Sequence, residues 1–155
     1  MPRLLASTND YIARTHGDAN MFATMFVGVL DPADGSLGYV NGGHEAPVIA
    51  GPGGGVRRRL DPTGPAVGMM PGMDFAFVRE SLAPGELLLM FTDGVTDSRD
   101  PSGTMFQEAR LLPLLSAGRG AGALVGAIRD AVHAHAAGEP PFDDITMLAV
   151  SRAAA

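Results

Sequence analysis

The sequence of 155 residues contains no cysteine, no lysine and no tryptophan. Without cysteine it can form no disulfide, no thiolate metal site and no cysteine nucleophile. Without lysine it lacks the phosphate-binding residue of a P-loop, and all 11 basic side chains are arginine. No apolar run reaches the roughly 18 residues that a membrane-spanning helix requires. The opening "MPRLLASTNDYIARTHGDAN" is too polar for a secretory core. These absences predict a soluble, cytoplasmic chain with no membrane partner. The 17 acidic residues against 11 arginines leave a net charge of -6, which argues against nucleic-acid binding through phosphate neutralisation.

A hydrophobic content of 46% is enough for one core, so a single unit over residues 1–155 is expected. "RLLASTNDYIART" spaces Leu4, Leu5, Tyr11 and Ile12 as the end of an amphipathic helix, docked on one side and exposed on the other. "MFATMFVGVLD" reads as a strand buried on both faces, and Phe22 to Ala50 as a meander punctuated by Pro32 and Gly35. "GPGGG", Gly51 to Gly55, has no following helix and lysine to make a phosphate cradle, so it is a turn. "VRRRLDPTGPAVGMMPGMD" gives a short strand and a long ordered loop. "FAFVRESLAPGELLLMF" gives two strands joined at Pro84-Gly85. "FQEARLLPLLSA" and "GALVGAIRDAVHAHAA" are helical, and "ITMLAVSR" is a last strand. Strands, then two helices, then a strand predict an α+β fold with antiparallel pairing.

Several eye-catching residues have plain explanations. His133 and His135 stand two apart on a helix, so they face different directions and cannot form a zinc pair of the HExxH kind. Arg57 to Arg59 fit a solvated hairpin edge better than a phosphoprotein contact. Methionines such as Met21, Met25, Met69 and Met70 are expected to fill the core.

The candidate chemistry lies in "MFTDGVTDSRDPSG" and "PPFDDIT". Asp93 closes the strand "ELLLMF", and Asp143 and Asp144 open the strand "ITMLAV". If these strands pair antiparallel, the end of one lies beside the start of the other. Clustered carboxylates repel unless a cation lies between them, and hard oxygen donors suit Mg²⁺ or Mn²⁺. The plain alternative is that the aspartates are solvated turn formers, since Asp-Gly makes a good turn.

Four segments, "MFATMFVGVLDPADGSLGYVNGGHEAPVIA", "GPAVGMMPG", "LAPGELLLMFTDGVTDSRDPSGTMF" and "PPFDDITMLAV", together resemble the PPM (protein phosphatase 2C-like) serine/threonine phosphatases of the SpoIIE/RsbU group. The resemblance runs from Leu4 to Arg152 in the right order. It implies an antiparallel β-sandwich flanked by helices, with a two-metal Mn²⁺ or Mg²⁺ centre at one end. It also implies hydrolysis of phosphoserine or phosphothreonine, often on STAS-type anti-anti-sigma proteins in partner-switching stress regulation. By motif, Asp93 and Asp143 correspond to metal ligands, Asp144 to a supporting neighbour, and His44 of "NGGH" to a turn near the substrate side. Two metal ions lower the pKa of a bridging water and neutralise phosphoryl oxygens, so that hydroxide attacks phosphorus directly.

The family's N-terminal aspartate motifs, of the GD-aromatic-aromatic-D and D-x-x-GHG types, do not occur. The sequence is therefore expected to be the C-terminal part of such a domain, with weakened metal binding. Missing strands would leave sheet edges that favour a homo-oligomer or poor solubility. A catalytically inactive, phosphatase-like binding module is the alternative reading. A purely structural domain is a third, and a two-component receiver is disfavoured because strands and helices do not alternate.

Overall fold

A computed structural model describes residues 1–19, 21–116 and 118–154. They fall into two compact units, Met1–Ala46 with Leu60–Leu82 and Pro47–Arg59 with Ala83–Ala155.

In the first unit, helix α1 (Pro2–His16) begins with proline near its N-terminus, where the missing N–H costs nothing, and ends with Arg14 and His16 against the negative end of the helix dipole. Leu5 is fully buried among Val40, Val67 and Phe75, and Ile12 packs on the same cluster. Leu4 and Tyr11 face outward, so the amphipathic reading holds with one member of each apolar pair docked. Fully buried Asn9 accepts from the Gly68 N–H at 2.9 Å and donates to the Met70 carbonyl at 2.8 Å. Asp10 accepts from the Gly72 N–H at 2.8 Å. The long loop is thus pinned to α1 by side chains, which explains how a segment with little regular structure stays ordered.

Strands β1 (Met25–Leu30) and β2 (Ser36–Gly42) form a hairpin in register from Met25 opposite Gly42 to Leu30 opposite Leu37. Asp31 and Asp34 close its turn by accepting from the N–H groups of Ala33 and Ser36. Strand β5 (Val78–Ser81) pairs antiparallel with the other side of β2, giving the order β1-β2-β5.

In the second unit, β3 (Val48–Ala50), β4 (Val56–Arg59), β6 (Leu87–Phe91) and β7 (Met147–Ser151) form one antiparallel sheet in the order β4-β3-β6-β7. Gly51 to Gly55 is the predicted turn between β3 and β4, with Gly54 and Gly55 at positive φ. Helix α2 (Asp93–Thr96) is a single turn, and α3 (Gln107–Leu111) is short. Helix α4 (Ala121–Ala136) buries Leu124, Ile128 and Val132, one per turn on one face, against Val48, Leu87, Leu89 and Phe91. On β4, Arg57 pairs with Glu86, which is 3% exposed, and Arg59 makes a two-pronged bond to Glu108 at 2.6 and 2.7 Å. The arginine run is therefore an ion-paired edge.

The α+β class with antiparallel sheets and helices is as expected, but three local expectations are corrected. Strand β1 is not buried on both faces: among the described residues its one strand neighbour is β2, and Val29 is 62% exposed. The meander breaks after β2, because β3 joins the other unit's sheet, and β5 and β6 likewise belong to different sheets rather than one hairpin. Met21, Met69 and Met70 lie at the surface, each more than half exposed; around Met69 and Met70 it is the loop backbone, at Gly68 and Met70, that α1 holds.

Candidate metal centre

Strand β6 ends at Phe91, whose antiparallel partner is Met147 at the start of β7. The chain beyond these ends is joined by Thr92. Its N–H donates to the Thr146 carbonyl at 3.1 Å, and its hydroxyl donates to the Asp144 carbonyl at 2.8 Å and accepts from the Thr146 N–H at 3.0 Å. Asp93 follows as the first residue of α2. The turn is closed by the Asp97 N–H and the Thr96 hydroxyl, which donate to the Asp93 carbonyl at 2.8 and 3.0 Å.

Gly94 is what permits the approach. A Cβ built on it would lie 2.5 Å from the Asp144 carbonyl oxygen and 3.1 Å from that of Asp143. Backbone cannot swing aside as a side chain can, so glycine is required here. The structure thus brings the "TDG" turn against the backbone of Asp143 and Asp144, and all three aspartates are exposed. Asp143 accepts from the Asp144 N–H at 2.7 Å, which fixes the turn that presents it. Arg99 stacks over the Phe142 ring at 4.3 Å, linking the loop after α2 to the segment before Asp143.

The loop that follows is rigid for a readable reason. Asp100 accepts from the Ser102 hydroxyl at 2.6 Å and from the Ser102 and Thr104 N–H groups at 2.8 and 2.9 Å. These bonds, the hydroxyl's first, hold its carboxyl below the usual carboxylate range. His135 contacts the Thr104 carbonyl at 2.9 Å, and His133 is half-buried on the same helix.

The donor chemistry suits a hard cation, since carboxylate oxygens are what Mg²⁺ and Mn²⁺ prefer. The fit is partial. Among the described residues, no group of three or more histidine, aspartate or glutamate side chains is gathered as an ion cage.

His44 belongs to the first unit. Its N–H donates to the Asn41 side chain at 2.8 Å, and its ring Nδ1 lies 3.1 Å from the Thr24 hydroxyl. Asn41 is fully buried and donates to the carbonyls of His44 and Leu60, both at 3.1 Å. It is the organiser of the "NGGH" turn.

The profile of the SpoIIE family (Stage II sporulation protein E) matches residues 1–153. The chain belongs to the SpoIIE family. Protein IcfG of Synechocystis sp. is 47% identical over 146 residues, covering 94% of this chain and 23% of IcfG. The solved SiaA-PP2C domain of Pseudomonas aeruginosa superposes with a TM-score of 0.80 at 19% identity, covering 95% of this chain and 58% of that one. The Mn-presoaked phosphatase domain of the cell fate determinant SpoIIE from Bacillus subtilis gives a TM-score of 0.61 at 18% identity, covering 84% and 56%. This SpoIIE-family chain therefore carries a PP2C-type fold while spanning under a quarter of IcfG and somewhat over half of each solved chain.

Within this SpoIIE-family chain, sequence reasoning passed over Thr92 and Asn41, and read Gly94 only as half of an Asp-Gly turn. A threonine that ends a strand just before Asp-Gly, and an asparagine that opens a turn, carry the signal: each can donate and accept at once.

Proposed function

We propose that residues 1–155 form part of a single SpoIIE/RsbU-type protein serine/threonine phosphatase domain, with Asp93 and Asp143 as its ligands to Mn²⁺ or Mg²⁺ and Asp144 in support. The observation that carries this reading is the close approach of Gly94 to the Asp143–Asp144 backbone, which sets two aspartate-bearing turns side by side at one end of a sheet. A bound divalent ion supplies an acidified water and charge neutralisation for a phosphoryl group. The chain's own part is to aim hard oxygen donors and to keep their turns rigid through Thr92, Thr96 and the Asp143–Asp144 bond. By resemblance the substrate is a phosphorylated STAS-type regulator, with His44 on the substrate side. The exposed edge strand β1 is where a homo-oligomer would form.

The alternative is a catalytically inactive docking module in the same kind of regulatory system. It is favoured by the absence of a three-donor cage among the described residues. Calorimetric Mn²⁺ titration of the chain and of Asp93→Asn and Asp143→Asn, with phosphoserine-peptide hydrolysis on the same samples, separates the two. Saturable binding weakened by either substitution, together with turnover, supports the phosphatase. A folded chain that neither binds Mn²⁺ nor turns over supports the docking module.

A further inference from the structure

The second unit carries a cavity of about 330 Å³ where the end of α4 meets the segments that flank the aspartate turns. Ala136, Pro141 and Ile145, none of them fully buried, form its apolar side. Ser98, His133 and Glu139 supply its polar groups, and none of the described residues that line it is an arginine. Ser98 is only 4% exposed, yet its hydroxyl makes no hydrogen bond among the described residues. It is not sealed off either, because the one buried side-chain polar atom without a partner among those residues is Nη1 of Arg119. The hydroxyl therefore opens onto the cavity and stays unanswered there, a cost that a ligand's donor would offset.

Two features give the cavity a negative field. The C-terminal end of a helix carries partial negative charge, and α4 is 16 residues long. Ala137 then turns left-handed, at φ 49°, and the Glu139 N–H donates to the Ala136 carbonyl at 2.9 Å. This fold-back sets Glu139 beside the helix end, and its carboxylate adds to the field. A hollow with an apolar side, a negative field and acceptor oxygens suits a cation on a short carbon chain. An ammonium has three N–H donors, and the wall offers a hydroxyl oxygen, a carboxylate and an imidazole nitrogen.

We propose that this cavity binds an alkylammonium group, with its carbon chain along Ala136, Pro141 and Ile145 and its nitrogen donating to the Ser98 hydroxyl and the Glu139 carboxylate. The sequence has no lysine, so a second copy of this chain cannot supply the group from a side chain. Its sources are a free amine or a lysine of another protein. The site needs no metal and stands apart from the phosphatase reading.

The test is calorimetric titration of the full chain in metal-free buffer at constant ionic strength, at about pH 8, where an ordinary imidazole is uncharged. The probes are n-butylamine, n-butanol as the uncharged control, and a glycyl-lysyl-glycine peptide blocked at both ends. n-Butylamine should bind saturably and n-butanol should not. Glu139→Gln should weaken binding about tenfold, because it removes a charge-assisted bond. Ser98→Ala should weaken it about threefold, the worth of one ordinary hydrogen bond. Asp93→Asn, which removes the same charge from the candidate metal centre, should leave the affinity unchanged. Tighter binding of the lysine peptide than of n-butylamine assigns a protein side chain as ligand; equal or weaker binding assigns a free amine. The site is refuted by lack of saturation with both amines, by n-butanol binding as tightly as n-butylamine, by unchanged affinity in a folded Glu139→Gln or Ser98→Ala protein, or by a loss in Asp93→Asn as large as that in Glu139→Gln.

Discussion

At one end of the four-stranded sheet, β6 and β7 meet beside aspartates; at the other, the same two strands frame a cavity walled by arginines. The two ends are built by different means. The acidic end is knit through the backbone, with Thr92 tying three main-chain groups and Gly94 pressed against Asp143 and Asp144. The basic end is a hollow between side chains, bordered by leucines and by Arg119 and Arg152. Backbone joinery fixes where donors point and tolerates almost no added atoms, whereas a side-chain hollow tolerates substitution.

The sharpest way to break this contrast is to change the carboxylates themselves. Asp93→Asn or Asp143→Asn should lower Mn²⁺ affinity by at least about tenfold, since even indirect partners of metal ligands cost about 10–100-fold. Arg119→Ala should leave Mn²⁺ affinity unchanged. Calorimetry on the three variants decides it: equal losses would mean the ends are one electrostatic system.

Next in size is the tolerance of each region to a single methyl group. Gly94→Ala puts a carbon 2.5 Å from a carbonyl oxygen and should destabilise the fold by about 1–3 kcal/mol in urea denaturation. Gly126→Ala, inside α4, meets nothing within 4 Å and should instead stabilise by about 0.5–1 kcal/mol through helix propensity. Opposite signs for the same chemical change would mark which end is held by backbone. Thr92→Val follows, keeping the shape but removing the hydroxyl's two bonds to Asp144 and Thr146; it should cost about 1–2 kcal/mol. A neutral result would mean that the strand pairing alone holds the turn.

How much of this was legible beforehand differs in the same way. The pairing of "ELLLMF" with "ITMLAV" was readable because one short apolar run ends beside an aspartate and the other begins at two, and β6 is indeed buried at four of its five positions. "MFVGVL" has the same look yet forms an exposed edge, because apolar composition reports what a strand can bury and not how many neighbours it has. The exposed Met69 and Met70 misled for a related reason. Their place is set by the Asn9 and Asp10 side chains gripping the loop backbone, an interaction between segments some sixty residues apart that no local pattern encodes. Among the candidate residues, the aspartates stood out by type and spacing. Thr92 and Gly94 did not, since a hydroxyl and a missing methyl become meaningful only once the two strand ends lie together.

The smallest expected effect concerns a carboxylate that already has its cation. Glu108 is held below the usual carboxylate range, first by its hydrogen bonds to Arg59; burial opposes this, and the charge of Arg59 adds the smallest effect in the lowering direction. A depressed native pKa means the unfolded chain takes up a proton more readily than the folded one. The ion pair's contribution is therefore fully present above the unfolded value of 4.5 and is lost as pH falls through the native value. Both side chains are about a third exposed, so the contribution should stay under about 1 kcal/mol. Glu108→Gln should accordingly lower the urea midpoint slightly at pH 7, and the gap to the parent chain should close in acid. A gap that persists at the acid limit would assign the effect to packing of the Glu108 side chain rather than to its ion pair with Arg59.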